Sequence, residues 1–148
     1  MVDVQSEIHI RAPRPEVAAY ASNPDNTPRW YHNIDSARWL SEPPLRVGSQ
    51  LAFSARFLGR ILDYSYEFVE LVPSEKLVMR TSQGPFPMQT TYTWSDSGDG
   101  TLMTLRNNGE PRGFSVVASV LMAPMMRRAM RKDLATLKQI LETGLPRA

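Results

Sequence analysis

The side chains with chemistry to offer are few and scattered. Trp30-Tyr31-His32, with Asp35 close behind, is the first group. A histidine titrates near neutral pH, so His32 is a candidate proton shuttle. The plainer reading packs Trp30 under a short helix and leaves His32 in solvent. His9, the other histidine, falls on the polar side of an alternating strand and is expected to be exposed. The second group is aromatic: Phe53, Phe57, Tyr64, Tyr66, Tyr92 and Trp94. Strand alternation turns them to one sheet face, where a one-residue slip would reverse a whole set. A tyrosine joins an apolar ring to a phenol, which suits an oxygenated hydrophobic ligand and makes Tyr66 a candidate proton donor. Ordinary core packing is the alternative use of these rings. Asp133 is the third candidate. It falls near the apolar face of a long helical pattern, about a turn from Met130 and Leu137. A carboxylate buried there needs a partner or a raised pKa. Arg56, Arg80 or Arg106 could serve if turned inward; otherwise Asp133 sits at the helix edge and pairs with a surface base. Asn107 is a further possible ligand contact.

Missing patterns narrow the chemistry. The sequence has no cysteine, which excludes disulfides, thiolate chemistry and the usual zinc sites. It has no glycine-rich dinucleotide loop, Walker loop, nucleophile elbow or HExxH, and no carboxylate pair or histidine cluster at metal-ligand spacing. No metal and no cofactor is expected. A formal charge of +2 is too small to argue for nucleic acid. With 148 residues, 42% hydrophobic and 22% charged, the chain reads as a single domain over 1–148 with a sizeable core. No apolar run reaches the roughly 18 residues of a membrane span. The alternating N-terminus lacks a basic-then-apolar signal pattern, so a cytoplasmic protein is expected. Eight methionines suit an irregular cavity or adaptable surface as well as core filling.

The elements that must position these residues follow from periodicity. Met126, Met130, Leu134, Leu137 and Leu141 recur at helical spacing, with Arg128, Lys132 and Gln139 opposite, in a helix expected from Gly113 to Gly144 with Pro146 beyond. Pro124 interrupts its greasy first part and predicts a kink or break. Val2 to Arg11 alternates as a strand, Pro15 to Tyr20 and Pro28 to His32 read as short helices, and Ile34 to Leu40 is a second strand. Gln50–Leu58, Ile61–Val72, Lys76–Ser82, Met88–Ser95 and Thr101–Asn108 follow, separated by turn residues. Val69 and Leu71 break the parity of their strand and suggest a bulge. A run of strands closed by one long helix indicates an α+β fold, its antiparallel sheet wrapped on that helix with a pocket between them.

Several short stretches stand in a telling order: Ile10-Arg11-Ala12-Pro13 before a helix with Val17, Trp30 after the second short helix, Val47-Gly48-Ser49, Glu67-Phe68-Val69-Glu70-Leu71-Val72-Pro73 before Lys76-Leu77-Val78, and Gly98-Asp99-Gly100-Thr101. In order and spacing they resemble the START-like helix-grip superfamily (SRPBCC), and within it the polyketide cyclase/dehydrase-like group. The resemblance spans essentially the whole chain. It implies a curved sheet of about seven strands gripping the C-terminal helix, with a deep cavity between them and the His32 segment near its mouth. Members of the superfamily bind lipids, polyketides, steroids, quinones or plant hormones, and some cyclise polyketides. The resemblance is to scaffold positions, so it carries an expectation of a hydrophobic pocket and not of a reaction.

Three readings result. The first is a carrier or binding protein for a lipid, polyketide or quinone-like molecule, contacted by Trp30, Phe53, Phe57, Tyr64, Tyr66, Tyr92, Trp94, Asn107, Met126 and Met130. The second is a cyclase/aromatase-type enzyme in which positioning supplies most of the rate, and His32, Tyr66 or Asp133 trades protons. The third is a module that docks on a protein or membrane through the apolar-then-basic helix around Pro124, where Arg127, Arg128, Arg131 and Lys132 follow at once. Oligomeric state is left open by the sequence.

Overall fold

The computed structural model describes residues 2–57, 59–83, 87–110 and 116–143. The side chains of Phe57, Ser82, Gln83 and residues 116–119 lie outside that description, as do Gly113, Gly144, Pro146 and most of the 83–87 loop. Strand β1 (Val2–Ile10) leads into α1 (Arg14–Ser22), a single 3-10 turn (Pro24–Asn26) and α2 (Thr27–Trp30). Then come β2 (Ile34–Trp39), β3 (Gln50–Phe57), β4 (Arg60–Val72), β5 (Lys76–Gln83), β6 (Met88–Ser97), β7 (Gly100–Gly109) and the long helix α3 (Val116–Glu142). The α+β helix-grip architecture expected from the sequence is present. Boundaries differ by one to a few residues, as fraying ends usually do.

One antiparallel sheet has the order β1-β7-β6-β5-β4-β3-β2. Strands β2 to β7 form a meander, so each pairs with the next in sequence. β1 instead pairs with β7, Val4 opposite Asn107 and Ile10 opposite Thr101. The chain must therefore cross from one sheet edge to the other between β1 and β2, and α1 and α2 fill that crossing. The bulge expected near Val69 is present: the β4–β5 register shifts between Phe68 and Glu70. The β6–β7 turn is a two-residue hairpin in which Gly98 takes φ +56°, a conformation that costs glycine little. Gly100 is needed for another reason. A Cβ there would stand 2.1 Å from the Ile10 carbonyl oxygen, because the end of β1 lies directly against it.

Alternation decides what faces the helix. Val4 and Ile10 from β1, Leu77 and Met79 from β5, and Met103 and Leu105 from β7 point inward and are buried. They meet Met122, Met126, Met130, Leu134, Leu137 and Leu141 from α3 in one core. Each fully buried aliphatic side chain contributes about 1.5–3 kcal/mol relative to exposure. Lys138 donates from Nζ to the His9 carbonyl at 2.7 Å, and Glu142 accepts from the Arg11 amide at 2.8 Å, tying the end of α3 to the end of β1.

Neither a break nor an interruption appears at Pro124, and α3 runs through it. Pro124 is on the solvent side, so the Val120 carbonyl that loses its intrahelical donor can be hydrated. Among the described residues no helix is long and apolar enough to cross a membrane.

Candidate functional site

Strands β3, β4, β5, β6 and β7 face the middle of α3 across a cavity of about 160 Å³. The sheet contributes Phe53 and Ala55, Tyr64 and Tyr66, Met79, Met88 and Thr90, and Asn107. From α3 come Met126, Ala129, Met130 and Asp133, and the α2–β2 segment closes one side with Thr27, Tyr31, Asn33 and Ile34. The lining is mostly apolar and aromatic, the usual composition of a small-molecule site. Four of the methionines line it, as their adaptability favours.

Period-two alternation puts Phe53 with Ala55, Tyr64 with Tyr66, and Met88 with Thr90 on the concave face. Phe53 and Tyr64 are directly paired across β3 and β4. The Phe53 and Tyr66 rings meet edge-on with centroids 5.6 Å apart, and Tyr64 and Tyr66 lie 6.0 Å apart. Asn107 also points in, and its Oδ1 accepts a 2.6 Å bond from the Thr90 hydroxyl.

Two phenols meet beside the cavity. The Tyr31 and Tyr92 hydroxyls are 2.6 Å apart. Burial holds the Tyr31, Tyr66 and Tyr92 phenols well above their ordinary range, with the neighbouring hydroxyl adding to the effect at Tyr31. Tyr64, nearer the outside, is pushed up to about 12 by burial. All four are neutral hydrogen-bonding groups at physiological pH.

Asp133 is the one carboxylate in the lining, and it is 4% exposed. Its Oδ1 accepts from the His32 backbone N–H at 3.0 Å. Burial pushes its pKa up to about 6, against the lowering effect of that hydrogen bond. The edge position with a surface base as partner is therefore not what the fold builds. Nor does an inward arginine meet it. Arg106 turns out to Asp3, with bonds of 2.8 and 2.6 Å, and Arg80 is exposed, because Met79 and Asn107 take the inward positions beside them. Arg56 reaches the cavity rim but pairs with Asp35 at 3.1 Å, both side chains about half exposed. Among the described residues no lysine or arginine side-chain nitrogen pairs with the Asp133 carboxylate within 4.0 Å.

The other candidates fall elsewhere. His32 is exposed, yet it is not free: its Nε2 is 2.8 Å from the Thr136 hydroxyl, so the segment clamps onto α3 through both backbone and ring. It lies behind the cavity wall, not in it. His9 is about one-third exposed and contacts the Ser97 carbonyl at 2.8 Å. Trp30 is fully buried, its ring tilted against Tyr31 with centroids 4.3 Å apart and 5.8 Å from Tyr92, one layer behind the lining. Tyr92 is likewise behind it, reaching the site through its hydroxyl bond to Tyr31. Trp94 lies at the other end of the sheet, under α1. It is six residues from Met88 on the same strand face, which is roughly 20 Å. The Phe57 side chain lies outside the described residues. Lining residues outside the expected contact set include Tyr31, named there only beside Trp30 and His32, and Met79, Met88, Thr90 and Ala129. Thr90 and Met88 share the inward parity of Tyr92, which was a usable signal. Ala129 carried none.

Among the described residues no cluster of three or more acidic or histidine side chains could hold a metal ion. The lining offers no phosphate cradle either. What it can do is surround a small apolar molecule, offer hydrogen bonds from phenols and an amide, and place one carboxyl group beside it.

The family profile described as polyketide cyclase/dehydrase and lipid transport matches residues 1–142. A comparison with curated proteins finds no matching sequence. Among solved structures, the fold is similar to a protein from Thermus thermophilus at TM-score 0.79 and 17% identity, covering 93% of this chain and 94% of that one. It is similar to the Zhui aromatase/cyclase of a Streptomyces species at TM-score 0.76 and 13% identity, covering 93% and 91%. A START superfamily protein from Mycobacterium smegmatis gives TM-score 0.69 and 16% identity, covering 95% and 94%. At these identities the likeness is one of fold.

Proposed function

The chain belongs to the polyketide cyclase/dehydrase and lipid transport family, and from that membership we propose that it binds a hydrophobic small molecule of about one ring in the cavity under α3. The observation that carries this reading is the lining: four aromatic rings and four methionines around about 160 Å³, with an amide and one carboxyl group among them. An apolar cavity of about 150 Å³ is enough for benzene, whereas drug-sized ligands occupy roughly 300–1,000 Å³. A whole polyketide or lipid chain exceeds this volume, and a single ring does not. Native mass spectrometry of the purified protein, with extraction and identification of any passenger, tests the reading. A one-ring or smaller aromatic passenger supports it. Binding of ring-sized probes that survives Ala129→Trp unchanged, with the fold intact by circular dichroism, refutes it, because that side chain fills the cavity.

A second reading, a cyclase-type enzyme, is favoured by Asp133. A buried carboxyl that titrates near neutral pH, close to several phenols, has the properties of a general base. The test is turnover of a small poly-ketone, expected to fall by about two orders of magnitude or more in Asp133→Asn. Turnover unchanged in Asp133→Asn and in Tyr66→Phe removes the enzyme reading and leaves the binding one standing.

A further inference from the structure

The cavity couples two features that a purely apolar ligand does not need. One is a carboxylate, buried and without a cation in reach. The other is a wall of aromatic rings around the space it faces. Among the described residues Asp133 accepts one hydrogen bond, from the His32 amide, which orients the carboxylate without neutralising it. Burying an unpaired charge costs several kcal/mol, and the His32 amide bond and the field of Lys132 offset only part of this cost. Around the same space stand Phe53, Tyr31, Tyr64 and Tyr66. The faces of such rings carry negative potential and attract cations, most strongly where water is excluded. The sulfur atoms of Met126 and Met130 on the helix side are polarizable and add no positive charge.

Resting on the reading that the cavity binds a small hydrophobic molecule, we propose that its ligand is an organic amine: about one ring in size, with a protonated nitrogen that pairs with Asp133 among the tyrosine and phenylalanine rings. The competing cation, Arg56, is at the rim, and its charge is matched by Asp35. Lys132 precedes Asp133 on α3; its side chain is exposed and acts on the carboxylate only through its field. The protonated nitrogen would provide the missing counter-charge, and the ring would fill the apolar part.

The test is calorimetric titration of the full chain with benzylamine and with benzyl alcohol, a neutral molecule of nearly the same shape. At about pH 7.5 benzylamine should bind roughly 10- to 100-fold more tightly, the range for a hydrogen bond to a charged group. In Asp133→Asn that preference should vanish, with circular dichroism confirming the fold. Benzylamine affinity should also rise from about pH 5 to about pH 7 in the unaltered protein and stay flat in the variant. The groups facing Asp133 are the Tyr31, Tyr66 and Tyr92 phenols, the His32 segment, Lys132 and the Arg56–Asp35 pair. All are kept in the variant, so a pH effect arising from His32 would persist there. Benzyl alcohol binding as tightly as benzylamine, or a preference that survives Asp133→Asn, overturns the amine proposal and leaves the cavity reading intact. Failure of both probes to bind overturns the two together.

Discussion

Replacing Asp133 by asparagine should stabilise the protein, and by an amount that depends on pH. The folded chain raises the Asp133 pKa from 3.8 to about 6, with burial the main cause. Folded Asp133 therefore holds its proton at pH values where the unfolded chain has released it. Stability falls as pH rises through that window and levels off above it. The full penalty is about 3 kcal/mol. About 1 kcal/mol of it is already present at about pH 4.5, so a further 2 kcal/mol or so should develop by about pH 8. Asparagine keeps an oxygen to accept the His32 amide and has nothing to ionise, so the variant escapes this term. Urea denaturation of both proteins, followed by the fluorescence of buried Trp30 and Trp94, measures the gap at each pH. The gap should widen by about 2 kcal/mol from about pH 4.5 to about pH 8, and Tm at the higher pH should rise by about 6–12 °C. A gap that does not change with pH, or an Asp133→Asn protein less stable at about pH 8, would refute the reasoning. It would mean that the carboxylate is compensated inside the fold, and the case for a cationic ligand would go with it.

Other expectations are simpler. Tyr31→Phe and Tyr92→Phe should each cost about 1–3 kcal/mol by leaving one buried hydroxyl unpaired, whereas the double variant should cost less than the sum; strict additivity in denaturation would show that the 2.6 Å pair is not a functioning bond. Gly100→Ala should lower Tm well beyond Gly98→Ala, since only the former drives a Cβ into the Ile10 carbonyl, and equal shifts would contradict the close approach of β1. Val120, Leu121 and Met125 are 70%, 51% and 39% exposed on the face of α3 that continues into exposed Arg128, Arg131 and Lys132. Apolar residues followed by bases complement an anionic bilayer. Sedimentation with phosphatidylserine vesicles should show binding that weakens with salt and with Leu121→Glu; pelleting indifferent to both would dismiss it.

The scaffold was legible because it is written in periods. Met126, Met130, Leu134, Leu137 and Leu141 repeat every three or four residues, and each strand alternates, so layer and parity could be read along the chain. The same parity turned Phe53, Tyr64, Tyr66 and Asn107 toward the cavity. It could not say how far along the sheet the cavity extends. Trp94 and Met88 share a face, yet one lies under α1 and the other lines the cavity. That distinction depends on where α3 lifts off the sheet, a matter of three-dimensional curvature with no one-dimensional signature. Asp133 was ambiguous for a related reason. Its wheel position bordered the apolar stripe, and only the approach of the α2–β2 segment, with the His32 amide, encloses it.

The pairing of β1 with β7 has a consequence for how the chain is made. Val2 finds its partner in Gly109, and Ile10 finds its in Thr101. At about 5–20 residues per second, synthesis leaves the first strand waiting on the order of 5–20 s for the last one. During that time β2 to β6 can zip in order, each strand finding a neighbour already made. β1 cannot, and it carries Val2, Val4, Ile8 and Ile10 on a strand with free hydrogen-bonding edges. The sheet can close only after β7 appears, and the cavity only after α3 follows. A nascent chain stalled before residue 100 would expose the segment most able to pair with another copy of itself.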